Sequence, residues 1–233
     1  MPRLHLIDEL TRELQLPLVA LHFEHISVIS KVISNAWREL LQTQKATLSD
    51  APEPEINTLM AARLNALLES DFMWRQLVRS VSRGAESVSF DGKHLEKRPD
   101  LCVHLTYRNP SFPLTIECKI INLDAQQDSD RYCNQGLVKF VSGEYAWASR
   151  EAIMVAYVRD GSSISSCLTP FLTASQSQVP SPYLVEELPI KFDLFSLDFA
   201  RSIHGRTFKY PNRIPPYDRP GSIAIWHLWM LLR

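Results

Sequence analysis

No stretch of the chain approaches ~18 consecutive apolar residues, so no membrane-spanning helix is expected. The N-terminal "MPRLHLIDELTREL" has no uninterrupted apolar core of the kind a signal peptide needs. The four cysteines (Cys102, Cys118, Cys133, Cys167) contain no CxxC pair, which argues against a zinc ribbon. At least two of them lie inside apolar runs, where cysteine acts as a small core residue. A reducing cytoplasm is the expected location. Charge of one sign is not in excess either, with a formal net charge of -1 over 233 residues. A protein that coats DNA through general phosphate contacts is thereby disfavoured. An enzyme that engages DNA at a cleft through a local patch is not. Internal repeats and a strong domain boundary are absent as well.

What is present is a hydrophobic content of 45%, enough for one sizeable core and a single domain over 1–233. Residues 17 to 45 carry a helical stripe of Val19, Phe23, Ile26, Ile29, Ile33, Ala36 and Leu40. The break "SDAPEPE" precedes a second helix, with Pro54 in its first turn. Its stripe (Ile56, Met60, Leu64, Leu67, Trp74, Val78, Val81) predicts a helix to about Ser82, with Gly84 as its stop.

The period then changes. "SVSF", "DLCVHLTY" and "LTIECKIIN" read as a meander of strands, with turn chemistry in "DGK" and "RNPS". Residues 130 to 148 return to a helical pattern, with Cys133, Leu137, Phe140 and Val141 inward. "AIMVAYV" (152–158) and "SIAIWHLWMLL" read as buried strands, and the Ser/Thr/Pro-rich "SSISSCLTPFLTASQSQVPSP" as a surface excursion. The expected architecture is α/β or α+β, a mixed central sheet flanked by helices. Residues 1–50 form an N-terminal helical segment, 53–160 the core, and 161–233 an extension completing it.

Three charges interrupt the apolar strands. Alternation puts Glu117 and Lys119 on one face of "LTIECKI", with Thr115, while Leu114, Ile116, Cys118 and Ile120 face the other way. Asp100 heads a face with Cys102 and His104, and a hairpin pairing would bring it beside Glu117. Burying charge in a sheet is costly unless something pairs with it. Two carboxylates suit a hard divalent cation bound through oxygen, and a lysine beside them can orient water or stabilise developing charge. Taken singly, each has a plainer explanation: a solvated ion pair for Glu117 and Lys119, a turn residue for Asp100.

"RPD" at 98–100, sixteen intervening residues, then "ECK" at 117–119 resembles the PD-(D/E)XK nuclease superfamily, the restriction-endonuclease-like fold. The resemblance covers roughly residues 53–160. It implies a helix before the meander, the Asp on the second strand, the (D/E)XK on the third, then a helix and another strand. By that pattern Asp100, Glu117 and the Cys118 carbonyl would bind Mg²⁺ or Mn²⁺, and Lys119 would be the catalytic lysine. An acidic residue on the preceding helix would be Glu55, with Glu53 competing, though an acid at a helix start is also favoured by the macrodipole. A polar residue on the following helix would be Gln135, with Tyr132 and Lys139 nearby. "NQGLVKFVSGEYAW" resembles a segment of uncharacterised bacterial nuclease-like proteins, some in anti-phage contexts.

The function so implied is a metal-dependent endonuclease acting on DNA more than RNA. The alternative is a nuclease-fold subunit that binds nucleic acid or a protein partner, or forms a homo-oligomer, and cuts only in a complex or not at all. A structural or regulatory protein with a chance motif is the third possibility. In the tail, His204 and Arg206 are candidate phosphate contacts. His227, Trp226 and Trp229 read as core residues, and Gly136 and Gly143 as positions of close packing.

Overall fold

A computed structural model describes residues 4–194 and 196–232. A short helix, α1 (Leu4–Leu10), precedes the long α2 (Phe23–Asp50). Ile26, Ile29, Ile33, Ala36, Trp37 and Leu40 are buried along α2, as the stripe requires. Val19 lies outside it and is 87% exposed. Pro52 and Pro54 bracket the start of α3 (Glu53–Ser70), whose buried face is Ile56, Asn57, Met60, Ala61 and Leu64.

The helix expected to reach Ser82 stops earlier. The Asp71 carboxylate accepts a hydrogen bond from the Trp74 amide at 2.9 Å and so caps a separate short helix, α4 (Phe72–Leu77). The chain then enters strand β1 (Val78–Arg83). Val78 and Val81 were compatible with a helical period, and pairing to the next strand decides between the two. "SVSF" makes only an isolated bridge, Ser87 to Lys97.

The strands β2 (Leu101–Leu105) and β3 (Leu114–Ile121) follow. A helical rod comes next, made of α5 (Ser129–Tyr132), a π-helical turn (Cys133–Leu137) and α6 (Val138–Val141). It leads to β4 (Glu151–Val158). The Ser/Thr/Pro-rich excursion contains a second π-helical turn (Ile164–Leu168) and α7 (Thr169–Gln176). Two strands that periodicity did not reveal, β5 (Val185–Lys191) and β6 (Asp198–His204), precede the last, β7 (Ile223–Leu231).

The seven strands form one mixed sheet in the order β1-β2-β3-β4-β7-β6-β5. The meander β1-β2-β3 is antiparallel, β3, β4 and β7 are parallel, and β6 and β5 return antiparallel. Ile116, Cys118, Val155, Tyr157 and Leu228 pack one face against α2 and α3. Met154, Ala156 and Ile225 pack the other against the 129–141 rod and α7. The result is a mixed α/β protein with helices on both faces of its sheet and an N-terminal helical segment. All eight residues of β3 are buried, Glu117 and Lys119 included, as expected for a central parallel strand. Among the described residues, no helix is long and apolar enough to cross a membrane.

Candidate active site

The site lies where β2 and β3 part. Their ladder runs Val103↔Leu114, Cys102↔Thr115, Leu101↔Ile116, so Asp100 emerges opposite Glu117 just as pairing ends. From there on, the amides of β3 on that side have no strand to pair with, and buried amides need partners. Two carboxylates supply them. Asp100 Oδ2 accepts from the Cys118 amide at 2.8 Å, and Glu53 Oε2 from the Ile120 amide at 3.3 Å. The split in the sheet therefore fixes both acids against one strand edge.

The Lys119 ammonium sits among them. Its Nζ donates to Glu117 Oε1 at 2.9 Å, to Glu53 Oε1 at 3.0 Å and to the Cys118 carbonyl at 2.6 Å, and lies 3.7 Å from Asp100 Oδ2. Lys139, from α6, donates to Glu117 Oε1 at 2.5 Å and lies 5.1 Å from the centre of the Tyr145 ring. Three carboxylates thus face two ammoniums, leaving one negative charge in surplus. Side-chain exposure is 24% at Glu53, 23% at Asp100 and 28% at Lys139 but only 8% at Lys119 and 2% at Glu117, so the periphery of the cluster meets solvent and its centre does not.

The electrostatics follow from that placement. Burial, reinforced by the charge of Asp100, raises the pKa of Glu117 against the opposing pull of Lys119 and Lys139. Burial likewise raises Glu53, against Lys119. For Lys119 burial alone acts downward, but Glu117, Glu53 and Asp100 outweigh it and raise its pKa well above that of a free lysine. The cluster therefore holds protons tightly, as a buried site with surplus negative charge must.

Of the two acids at the start of α3, Glu53 reaches the cluster and Glu55 is exposed to solvent. The helical face explains the difference. Glu53 shares its side of α3 with the buried Ile56, Asn57 and Met60, whereas Glu55 lies over the exposed Thr58. That signal was present in the sequence. Gln135 is also exposed and accepts from Arg131 Nε at 3.2 Å, while Lys139 reaches the cluster instead. A π-helical turn, of wider period than an α-helix, spans Cys133–Leu137 between α5 and α6. Tyr132 is buried, with its hydroxyl 2.9 Å from His227 Nδ1.

Gly136 backs directly onto the site. A Cβ there would stand 2.5 Å from Met154 Cε, 3.4 Å from Glu117 Cγ and 3.7 Å from Lys119 Cε. Gly143 has φ +78 and equally little room beside Phe208 and Phe90. His204 does not join the cluster. It is fully buried, pushed down to about 4 by desolvation, and linked through Ser202 to His227 as an uncharged core network. Arg206 is spent on the carbonyls of Ser149, Pro220 and Gly221. Trp226 stacks on Phe199, and Trp229 is buried.

Among the described residues, no group of three or more His, Cys, Asp or Glu side chains is set to hold an ion as it stands. The chemistry of the donors nonetheless fits a hard cation. The groups that meet at Lys119 are all oxygens: three carboxylates and the Cys118 carbonyl. Glu117 Oε2 is buried with no hydrogen-bond partner. The Cys118 thiol is excluded as a ligand, because it is fully buried and contacts Tyr157 on the other face of the strand. No family model matches the chain, and neither a curated protein nor a solved structure is found to be similar to it.

Proposed function

We propose that this chain is a divalent-cation-dependent nuclease of the PD-(D/E)XK kind that hydrolyses DNA phosphodiester bonds. One observation carries the reading. Acids from three separate elements (Glu53 at the start of α3, Asp100 at the mouth of β2, Glu117 within β3) converge on one lysine at the point where two strands part. A solvated ion pair on a strand face needs no such convergence, and buried charge is too costly to accumulate without a role.

In this reading Asp100, Glu117 and the Cys118 carbonyl hold Mg²⁺ or Mn²⁺, and Glu53 adds a fourth oxygen donor. Such an ion supplies charge neutralisation at a phosphate and a more acidic water. Lys119, protonated throughout the physiological range, orients the attacking water and stabilises charge developing on the phosphate; it is not a base. Lys139 positions Glu117 and keeps its charge balanced. Residues 134–147 resemble a segment of uncharacterised bacterial nuclease-like proteins, some in anti-phage contexts, and on that association invading DNA is one substrate to test.

A second reading, a nuclease-fold subunit that cuts only with a partner or binds without cutting, is favoured by the tight hold on Lys119 and the burial of Glu117. Purified protein with supercoiled plasmid and Mg²⁺ or Mn²⁺ separates the two. We expect nicking or linearisation by the wild type, lost in folded Asp100→Ala and Lys119→Ala variants. Cleavage that appears only after a partner is added supports the second reading, and equal cleavage by both variants removes the first.

A further inference from the structure

Beside the acidic cluster, on the same face of the sheet, lies a cavity of about 420 Å³. Its floor is the cross-strand pair Cys102 and Thr115, the next pair along from Asp100 and Glu117 on that face. Two residues of strand span about 6.7 Å, which is the order of the reach from a phosphate to the base of the same nucleotide. Phe112 and Trp147, packed edge to face at 5.3 Å, together line one side of it, and the Trp147 indole is pinned by its hydrogen bond to the Val88 carbonyl at 2.7 Å. The hydroxyls of Ser87 and Ser111, at the rim, are engaged by no described residue. The volume falls within the range of small-molecule pockets, about 300–1,000 Å³. The lining is mainly apolar and aromatic, with His104, held by Ser82, and Glu86, paired with Arg98, as its titratable side chains, and a slot of that kind with hydroxyls beside it can receive an unstacked base.

We propose that this cavity takes one nucleobase, unstacked from the strand whose phosphate lies at the Asp100–Glu117 cluster. The inference rests on the nuclease reading and gives it a substrate preference: DNA that is single-stranded, or easily opened, at the cleavage point. A base already out of the stack costs least to insert.

The test is binding of short single-stranded DNA oligonucleotides, each with one abasic position, followed by fluorescence anisotropy. The wild type should lose about tenfold in affinity when one particular base is missing and change little elsewhere, as expected for a single stacked base. Ala85→Trp fills the cavity from its rim and should bind intact DNA about tenfold more weakly, with a flat abasic profile. Ser111→Trp, at a second lining position distant in sequence, should do the same, so that misfolding of one variant leaves the other decisive.

A flat profile for the wild type, or no DNA binding, overturns the proposal. So does wild-type affinity in both tryptophan variants together with a raised melting temperature, the behaviour of a packing gap. Plasmid cleavage with a flat profile removes the base pocket alone. A position-specific profile without cleavage in any divalent cation removes the nuclease reading alone.

Discussion

A lysine held by three carboxylates and a carbonyl is an arrangement that elementary electrostatics does not favour on its own. The surplus negative charge and the burial that raise Glu53 and Glu117 give the cluster an appetite for cations, and the ammonium of Lys119 meets part of it. The sign of the resulting pH dependence is fixed. A carboxyl whose folded pKa lies above its ordinary value near 4.5 favours folding below that value, and the benefit is lost as pH rises through the raised one. Relative to Glu117→Gln, the wild type should therefore lose stability as pH rises above 4.5. Urea unfolding of both proteins across that range measures it, and a pH-independent difference would contradict the burial argument. The two acids at the start of α3 should also separate cleanly. Glu53→Gln should weaken Mn²⁺ binding by about tenfold or more, the size typical of losing a supporting group at a metal site. Glu55→Gln should leave it unchanged by isothermal titration.

At the scale of elements, the site exists because β2 leaves β3 after Leu101↔Ile116 and side chains take over the abandoned amides. This much was legible in the sequence: alternation placed Glu117 and Lys119 together, and a hairpin brought Asp100 to them. The helix-facing residues were less legible, for physical reasons. Glu53 and Glu55 differ only in angular position on α3, and the π-helical turn at Cys133–Leu137, which sets the facing of Gln135 and Lys139, leaves no mark in the apolar spacing. Strand β1 was hidden because Val78 and Val81 fit a helical spacing, and Asp71 is the cap that ends the matter. Strands β5 and β6 were hidden because β5 is an edge with a mixed burial pattern and β6 alternates only weakly.

The rod over the site has its own consequence. Replacing Gly136 by Ala gains about 1 kcal/mol of helix propensity but forces a methyl toward the fully buried Met154, an overpacking that costs about 1–3 kcal/mol. We expect a net loss of about 1 kcal/mol, seen as a melting temperature lower by about 2–4 °C. On the nuclease reading, cleavage should fall further than stability does, because the added methyl would lie beside Glu117 and Lys119. Wild-type activity in Gly136→Ala would show that the rod tolerates more movement than its packing suggests.

Across the whole molecule, the cluster ties together parts of the chain that are far apart in sequence. Glu53 comes from the helical layer on one face of the sheet, Asp100 and Glu117 from the sheet itself, and Lys139 from the rod on the other face. On the proposed function, a cation bound there would stabilise the folded state by mass action, since the unfolded chain does not assemble the site. At a cation concentration about a hundred times Kd, the gain is about 2.7 kcal/mol. The most direct measurement is thermal unfolding of the wild type and of Asp100→Asn with increasing Mn²⁺. The wild type should rise by about 5–10 °C at saturation, and Asp100→Asn should not. No rise in the wild type, or an equal rise in the variant, would contradict the claim that these three carboxylates form a cation site.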